Sequence, residues 1–272
     1  MPGRRQAGYA LHMPAAFGPL LREWRQVRQM SQLRLAEAAE VSTRHISFIE
    51  TGRAAPSREM VLILASALDL PLRERNTLLG AAGFAAVYRE TDLRAPEMSG
   101  VAHALGFLLD RHEPYGASVL DGSWNILRVN RGGLRMLGWL LEQPPPAEVA
   151  ANAMRILFHP RGLRPFILNW EDLAAAMIER LHREVSHGAA RALLDEILSY
   201  PDVPHRFARP RLGEVPEVVL TLHLRKGERD LRLFTTLTTL GTPLDVTAQE
   251  LRIESYFPAD EATEEWVRSL AS

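Results

Sequence analysis

The sequence predicts an α+β chain in two domains: an all-helical first domain, and a second built from an antiparallel sheet and a helical block. Three observations carry that expectation. Apolar residues recur at helical spacing from Phe17 to about Gly83. Between Glu90 and Gly100 the periodicity fades and Pro96 breaks the pattern. Beyond it, Val218, Leu220, Leu222 and Leu224 alternate with polar or strand-forming residues, as strands require. A length of 272 residues suits two domains, the larger with a sizeable core. The expected division is a flexible arm at 1–16, a helical domain at 17–90, a linker at 91–100 and the sheet domain at 101–272.

Five short helices are expected in the first domain. Phe17, Leu20, Leu21 and Trp24 form the stripe of an amphipathic helix. Ser31 is placed to cap a helix over 32–39, and Ser42 another over 43–50. Gly52 can end that helix in a left-handed conformation. Pro56-Ser57 opens a fourth helix with Val61, Leu64, Ala65 and Leu68 on one face, and Pro71 opens a fifth.

The second domain is expected to begin with a helix over 101–111. Two short strands follow, 117–120 and 124–129, with Asp121-Gly122 as a tight hairpin turn. A helical block then runs from Arg131 to about Tyr200. Strands return from Val218 to Arg225, turn at Lys226-Gly227-Glu228, continue from Leu231 to Leu237, and end with a run from Glu250 to Phe257. Two strands, a helical block and three antiparallel strands is the order of a PAS-type sensor sheet, so a PAS-like domain is expected.

The chain has no cysteine, which excludes disulfides, thiolate metal sites and thiol catalysis. No apolar run approaches the ~20 residues of a membrane span, so no membrane partner is expected and a cytoplasmic location fits. The net charge of −1 hides an asymmetry. Residues 1–95 hold thirteen Arg against nine acids, +4, and the remainder holds nineteen bases against twenty-four acids, −5. A phosphate-binding surface is expected at the basic end.

The stretch Ser31-Gln32-Leu33-Arg34-Leu35-Ala36-Glu37-Ala38-Ala39-Glu40-Val41-Ser42-Thr43-Arg44-His45-Ile46-Ser47-Phe48-Ile49-Glu50-Thr51-Gly52-Arg53 resembles the XRE family, the Cro and lambda-repressor-like helix-turn-helix proteins. At about 100° per residue, Ile46, Ile49 and Glu50 lie on one side of the third helix. Thr43, Arg44, Ser47 and Phe48 span the other, so one side can pack while the other enters a major groove. The resemblance makes Gln32 a phosphate contact and Thr43, Arg44 and Phe48 base readers, with Ser42, Ser47 and Arg53 completing the DNA-binding set. It also pairs Arg25 with Glu50 as a structural ion pair. Glu40 departs from the family's usual turn glycine, which costs about 1 kcal/mol in a left-handed turn.

Further stretches resemble the MmyB-like transcription regulators: Glu113-Pro-Tyr115, Trp124-Asn125 with Asn130, Leu157-Phe-His-Pro160, Asn169-Trp170, Gly241-Thr-Pro-Leu-Asp245 and Phe257-Pro258-Ala-Asp-Glu-Ala262. That likeness implies a PAS-like ligand-binding domain behind the DNA reader, with small apolar effectors such as fatty acids among its ligands. Phe158, Trp170 and Phe234 are the expected cavity walls, with Asn169 or Asn130 as polar tether; equally, such aromatics can be plain core. The expected protein is a homodimeric regulator that binds a palindromic operator on double-stranded DNA. Its rivals are a regulator whose second domain only dimerises or binds a protein, and a DNA-tethered enzyme.

No catalytic residue, metal site or cofactor is expected. Glu179-Arg-Leu-His182 and Glu184-Val-Ser-His187 match the Glu-x-x-His of di-iron bundles, but both lie on one helix and point about 140° apart. His159 before Pro160 reads as a loop or cap residue.

Overall fold

The first domain's helices end where capping residues and the reach of the apolar stripe dictate. The computed structural model describes residues 17–184, 189–208 and 220–271. The expected arm, Val218, Val219 and His187 therefore lie outside the described residues. Helices α1 (Phe17–Val27), α2 (Gln32–Ala38), α3 (Thr43–Glu50), α4 (Arg58–Ala67) and α5 (Leu72–Ala81) follow the sequence closely. Ser31, Ser42 and Ser57 each accept a hydrogen bond from the backbone N–H three residues on, at 3.1, 3.1 and 3.2 Å. Their apolar faces converge on Leu21, Trp24, Leu35, Ile46, Ile49 and Leu64.

Two backbone details let α1, α2 and α3 come together. Glu40 takes the left-handed conformation with φ 54°, in the place where the family carries glycine. At Gly18 a β-carbon would lie 2.6 Å from the Glu50 carbonyl oxygen and 2.7 Å from that of Ile49. Only glycine admits α3 so close to α1.

The chain divides into two compact units. One comprises residues up to Thr91 together with Pro243–Gln249; the other comprises Asp92–Thr242 and the residues from Glu250 onward. Part of the expected linker is helical, since Pro96–Met98 makes a 3-10 turn leading into α6 (Ser99–Arg111). Strands β1 (Ala117–Leu120) and β2 (Ile126–Val129) come next. Their connection is longer than the expected hairpin, because the Asp121 carboxylate accepts from the N–H groups of Ser123 and Asn125 and Trp124 turns left-handed at φ 65°.

The helical block holds α7 (Arg131–Leu140), α8 (Ala147–Ala150), α9 (Ala153–Phe158), α10 (Trp170–Glu184) and α11 (Ala189–Leu198). Then come β3 (Thr221–Lys226), β4 (Arg229–Thr239), α12 (Val246–Glu250), β5 (Arg252–Pro258) and α13 (Glu261–Ser269). The strands form one antiparallel sheet in the order β2-β1-β5-β4-β3. Register assigns the faces. Ser118 lies opposite Glu254, which lies opposite Leu237, and Thr235 lies opposite Tyr256, so these share the face toward the helical block. Val119 and Ile253 point the other way and pack with Leu105 and Leu109 of α6.

The connection between β4 and β5 leaves the sheet to join the first unit, a departure from the expectation that all of 101–272 belongs to the second domain. Within that unit Thr91 Oγ1 donates to Asp245 Oδ2 at 2.6 Å, and the Leu72 N–H donates to Gln249 Oε1 at 2.7 Å. The Val246 N–H donates to the Arg89 carbonyl at 2.8 Å.

Candidate nucleic-acid interface and ligand cavity

Helix α3 buries Ile46, Ile49 and Glu50 and leaves Ser42, Arg44 and Arg53 exposed, with Thr43, Ser47 and Phe48 half-buried. The Arg44 guanidinium lies 5.0 Å from the centre of the Phe48 ring, and that of Arg53 lies 6.0 Å from it. Stacking of this kind keeps two cations on one outward surface instead of letting them fold back onto the protein.

Beneath that surface a buried charge fixes the helix. Arg25 Nε and Nη2 donate to Glu50 Oε1 and Oε2 at 2.6 and 3.1 Å. Gln32 Nε2 donates to Oε2 at 2.8 Å, and Arg22 Nε approaches it at 3.4 Å. Burial pushes the Glu50 carboxyl up, but the bonds from Arg25, Gln32 and Arg22 outweigh it and hold the group below its ordinary range. Gln32, expected at a phosphate, thus also ties α2 to this ion pair.

In the second unit a cavity of about 330 Å³ lies between the inner face of the sheet and the helical block. Its walls are mainly apolar, from Ile126, Met136, Met154, Leu157, Leu173, Met177 and Leu222. Ser118, Thr235, Glu254 and Tyr256 add polar groups. Tyr256 Oη donates to Glu254 Oε2 at 2.8 Å. Burial pushes the carboxyl of Glu254 up, while the Tyr256 bond and the charge of Arg180 hold part of that back. Burial, then the neighbouring Glu254, pushes the Tyr256 phenol up as well.

None of the five residues expected to line a cavity lines this one. Phe158 is fully buried core, packed edge-on against Trp170 with ring centres 5.0 Å apart. Trp170 donates its indole N–H to the Asp202 carbonyl at 2.8 Å. Phe234 faces away from the helical block and stacks on Phe257 at 5.2 Å. Asn169 Nδ2 donates to the Thr221 carbonyl at 2.6 Å and its Oδ1 accepts from the His223 N–H, so it anchors β3. Asn130 caps α7, its Oδ1 accepting from the Gly133 N–H at 2.9 Å. Sequence reasoning missed Glu254 and Tyr256. The signal was the alternation of Arg252, Glu254 and Tyr256 with Leu251 and Ile253, which reads as a solvent face when only one side of a sheet is taken to be covered.

No group of three or more acidic or histidine side chains among the described residues is arranged to hold a metal. Glu179 pairs with Arg183, and Glu184 with Arg180 and Arg252. His159 Nδ1 accepts from the Arg161 N–H at 3.0 Å, a loop-closing contact. No helix among the described residues is long and apolar enough to cross a membrane.

Comparison with known proteins agrees with both halves. A helix-turn-helix family model matches residues 21–75, and the model of the MmyB-like transcription regulator ligand-binding domain matches residues 101–270. No curated protein matches the chain. Among solved structures, one of an RNA-binding light-oxygen-voltage receptor aligns at 12% identity and a TM-score of 0.25, covering 96% of this chain and 64% of the other. With a helix-turn-helix ahead of that ligand-binding domain, the chain belongs to the MmyB-like transcription regulators.

Proposed function

We propose that the protein binds a palindromic operator on double-stranded DNA as a homodimer in the cytoplasm, and that a small apolar ligand in the second domain's cavity changes that binding. The observation that carries the reading is the pairing of an outward, cation-bearing α3 with a mainly apolar cavity in the other unit. Gln32 has a second amide N–H beyond the one given to Glu50, which suits a phosphate, and Ser42 and Arg53 flank the helix at backbone distance. Thr43, Arg44, Ser47 and Phe48 meet base edges. Both strands flanking the 243–249 segment contribute to the cavity, through Thr235 on β4 and Glu254 and Tyr256 on β5. This supports a covalent route from ligand to reader.

Arg44→Ala should weaken specific binding by about 1–3 kcal/mol and relax preference at one base per half-site, because a bidentate guanine contact is lost. Binding measured against operators varied one base at a time checks this. An equal loss on every sequence makes Arg44 a phosphate contact instead.

An apolar ligand, a fatty acid being one by its tail, binds the folded state and stabilises it by mass action, by about 2.7 kcal/mol at a hundredfold excess over Kd, which raises the melting temperature. Leu222→Trp should fill the cavity and abolish the shift. Melting of both delipidated proteins with and without ligand tests it. No shift in the wild type, with operator binding intact, leaves the second domain as a dimerisation or protein-binding module.

A further inference from the structure

The cavity's polar end decides which head group it accepts, an inference that rests on the cavity being the ligand site proposed above. Among its walls in the described residues the only ionisable groups are Glu254 and Tyr256, and none is basic. Glu254 is half-buried and spends one oxygen on Tyr256, at 2.8 Å. Its other oxygen has no hydrogen-bond partner among the described residues, and the side chain faces the cavity.

Among the described residues no cation bonds to Glu254. Across the sheet Glu254 meets Ser118 and Leu237, which carry no charge. From α10, Arg180 acts on it at a distance, but the Arg180 Nε donates to Glu184 Oε1 at 2.9 Å and its guanidinium lies 5.0 Å from the Trp124 ring. Arg252, two residues along β5, likewise gives Nη1 to both oxygens of Glu184, at 3.1 and 3.0 Å, and lies 5.0 Å from the same ring. Both arginines are thus paired with Glu184 and stacked on Trp124, whose ring is a wall of the cavity, and neither guanidinium is itself part of the lining.

We propose that the cavity takes an apolar molecule bearing a protonated amine, with Glu254 as its counter-ion and Tyr256 as the group that orients the carboxylate. A buried charge is tolerated only with a paired opposite charge, and here the protein supplies an acid with one oxygen unspent. A fatty-acid carboxylate would instead be desolvated beside a carboxyl group with no basic side chain among the described walls to meet it. An alcohol fits the tail space and gains one hydrogen bond to the carboxylate but no opposite charge.

The test uses full-length delipidated protein and three probes with one tail, dodecylamine, dodecanol and dodecanoate, below their micellar concentrations. Dodecylamine should bind about tenfold or more tighter than either other probe, the margin of a hydrogen-bonded ion pair over a bond from an uncharged donor. Glu254→Gln keeps the acceptor for Tyr256 and should melt as the wild type does without ligand. It should still bind dodecanol and lose the preference for the amine. Dodecanoate or dodecanol equalling the amine, or an amine preference that survives Glu254→Gln, would overturn the assignment while leaving the cavity as a ligand site. Binding of none of the three would overturn the cavity reading itself.

Discussion

Glu50→Ala should cost the first domain about 3–5 kcal/mol, because it leaves a nearly buried Arg25 guanidinium without its carboxylate. That is a large share of a small domain's total stability, so operator binding should fall through loss of folded reader and not through loss of a DNA contact. Urea unfolding, followed by the fluorescence of Trp24 at the centre of this core, measures it. The pH dependence follows from the carboxyl's position below its ordinary range. A group depressed on folding contributes stability above its unfolded pKa and loses that contribution as pH falls through the folded value. The penalty of Glu50→Gln should therefore be full at neutral pH and shrink below about pH 4. A penalty unchanged by acid would mean that packing, not charge, holds the site.

Asn130→Ala should destabilise the second domain by about 3 kcal/mol without removing a ligand contact. Asn130 Oδ1 accepts from the Ala117 and Gly133 N–H groups at 2.8 and 2.9 Å, and Nδ2 donates to the Tyr115 and Leu109 carbonyls at 2.8 and 3.3 Å. One buried amide thus caps α7 and ties it to β1 and to the end of α6. Truncation leaves backbone groups unpaired where water does not reach. Denaturant melts should show the loss, with ligand affinity per folded molecule unchanged. The reverse pattern, intact stability and lost affinity, would return Asn130 to the tether role expected from the sequence.

The helix-turn-helix was legible because its information is local. Caps at Ser31, Ser42 and Ser57 and the apolar stripe act within a few residues, and the left-handed turn at Glu40 was visible as a departure from glycine. The outward set on α3 followed from helical angle alone. The need for glycine at position 18 was not legible, since the atoms that forbid a β-carbon belong to residues 49 and 50.

By itself the sequence determined the two-domain α+β plan, the order of the strands along the chain and the outward side of α3, all set by short-range periodicity, while the Arg25–Glu50 pair came from the family resemblance. Only the tertiary structure decided the cavity and its polar end. Phe158 and Trp170 could have been wall or core, because apolar walls and core are built from the same side chains. Arg252, Glu254 and Tyr256 read as a solvent face until the helical block covered one side of the sheet and α6 the other. Likewise the membership of 243–249 in the first unit rests on hydrogen bonds between residues 154 and 177 positions apart, such as those of Thr91 and Leu72, a separation at which no local pattern carries information.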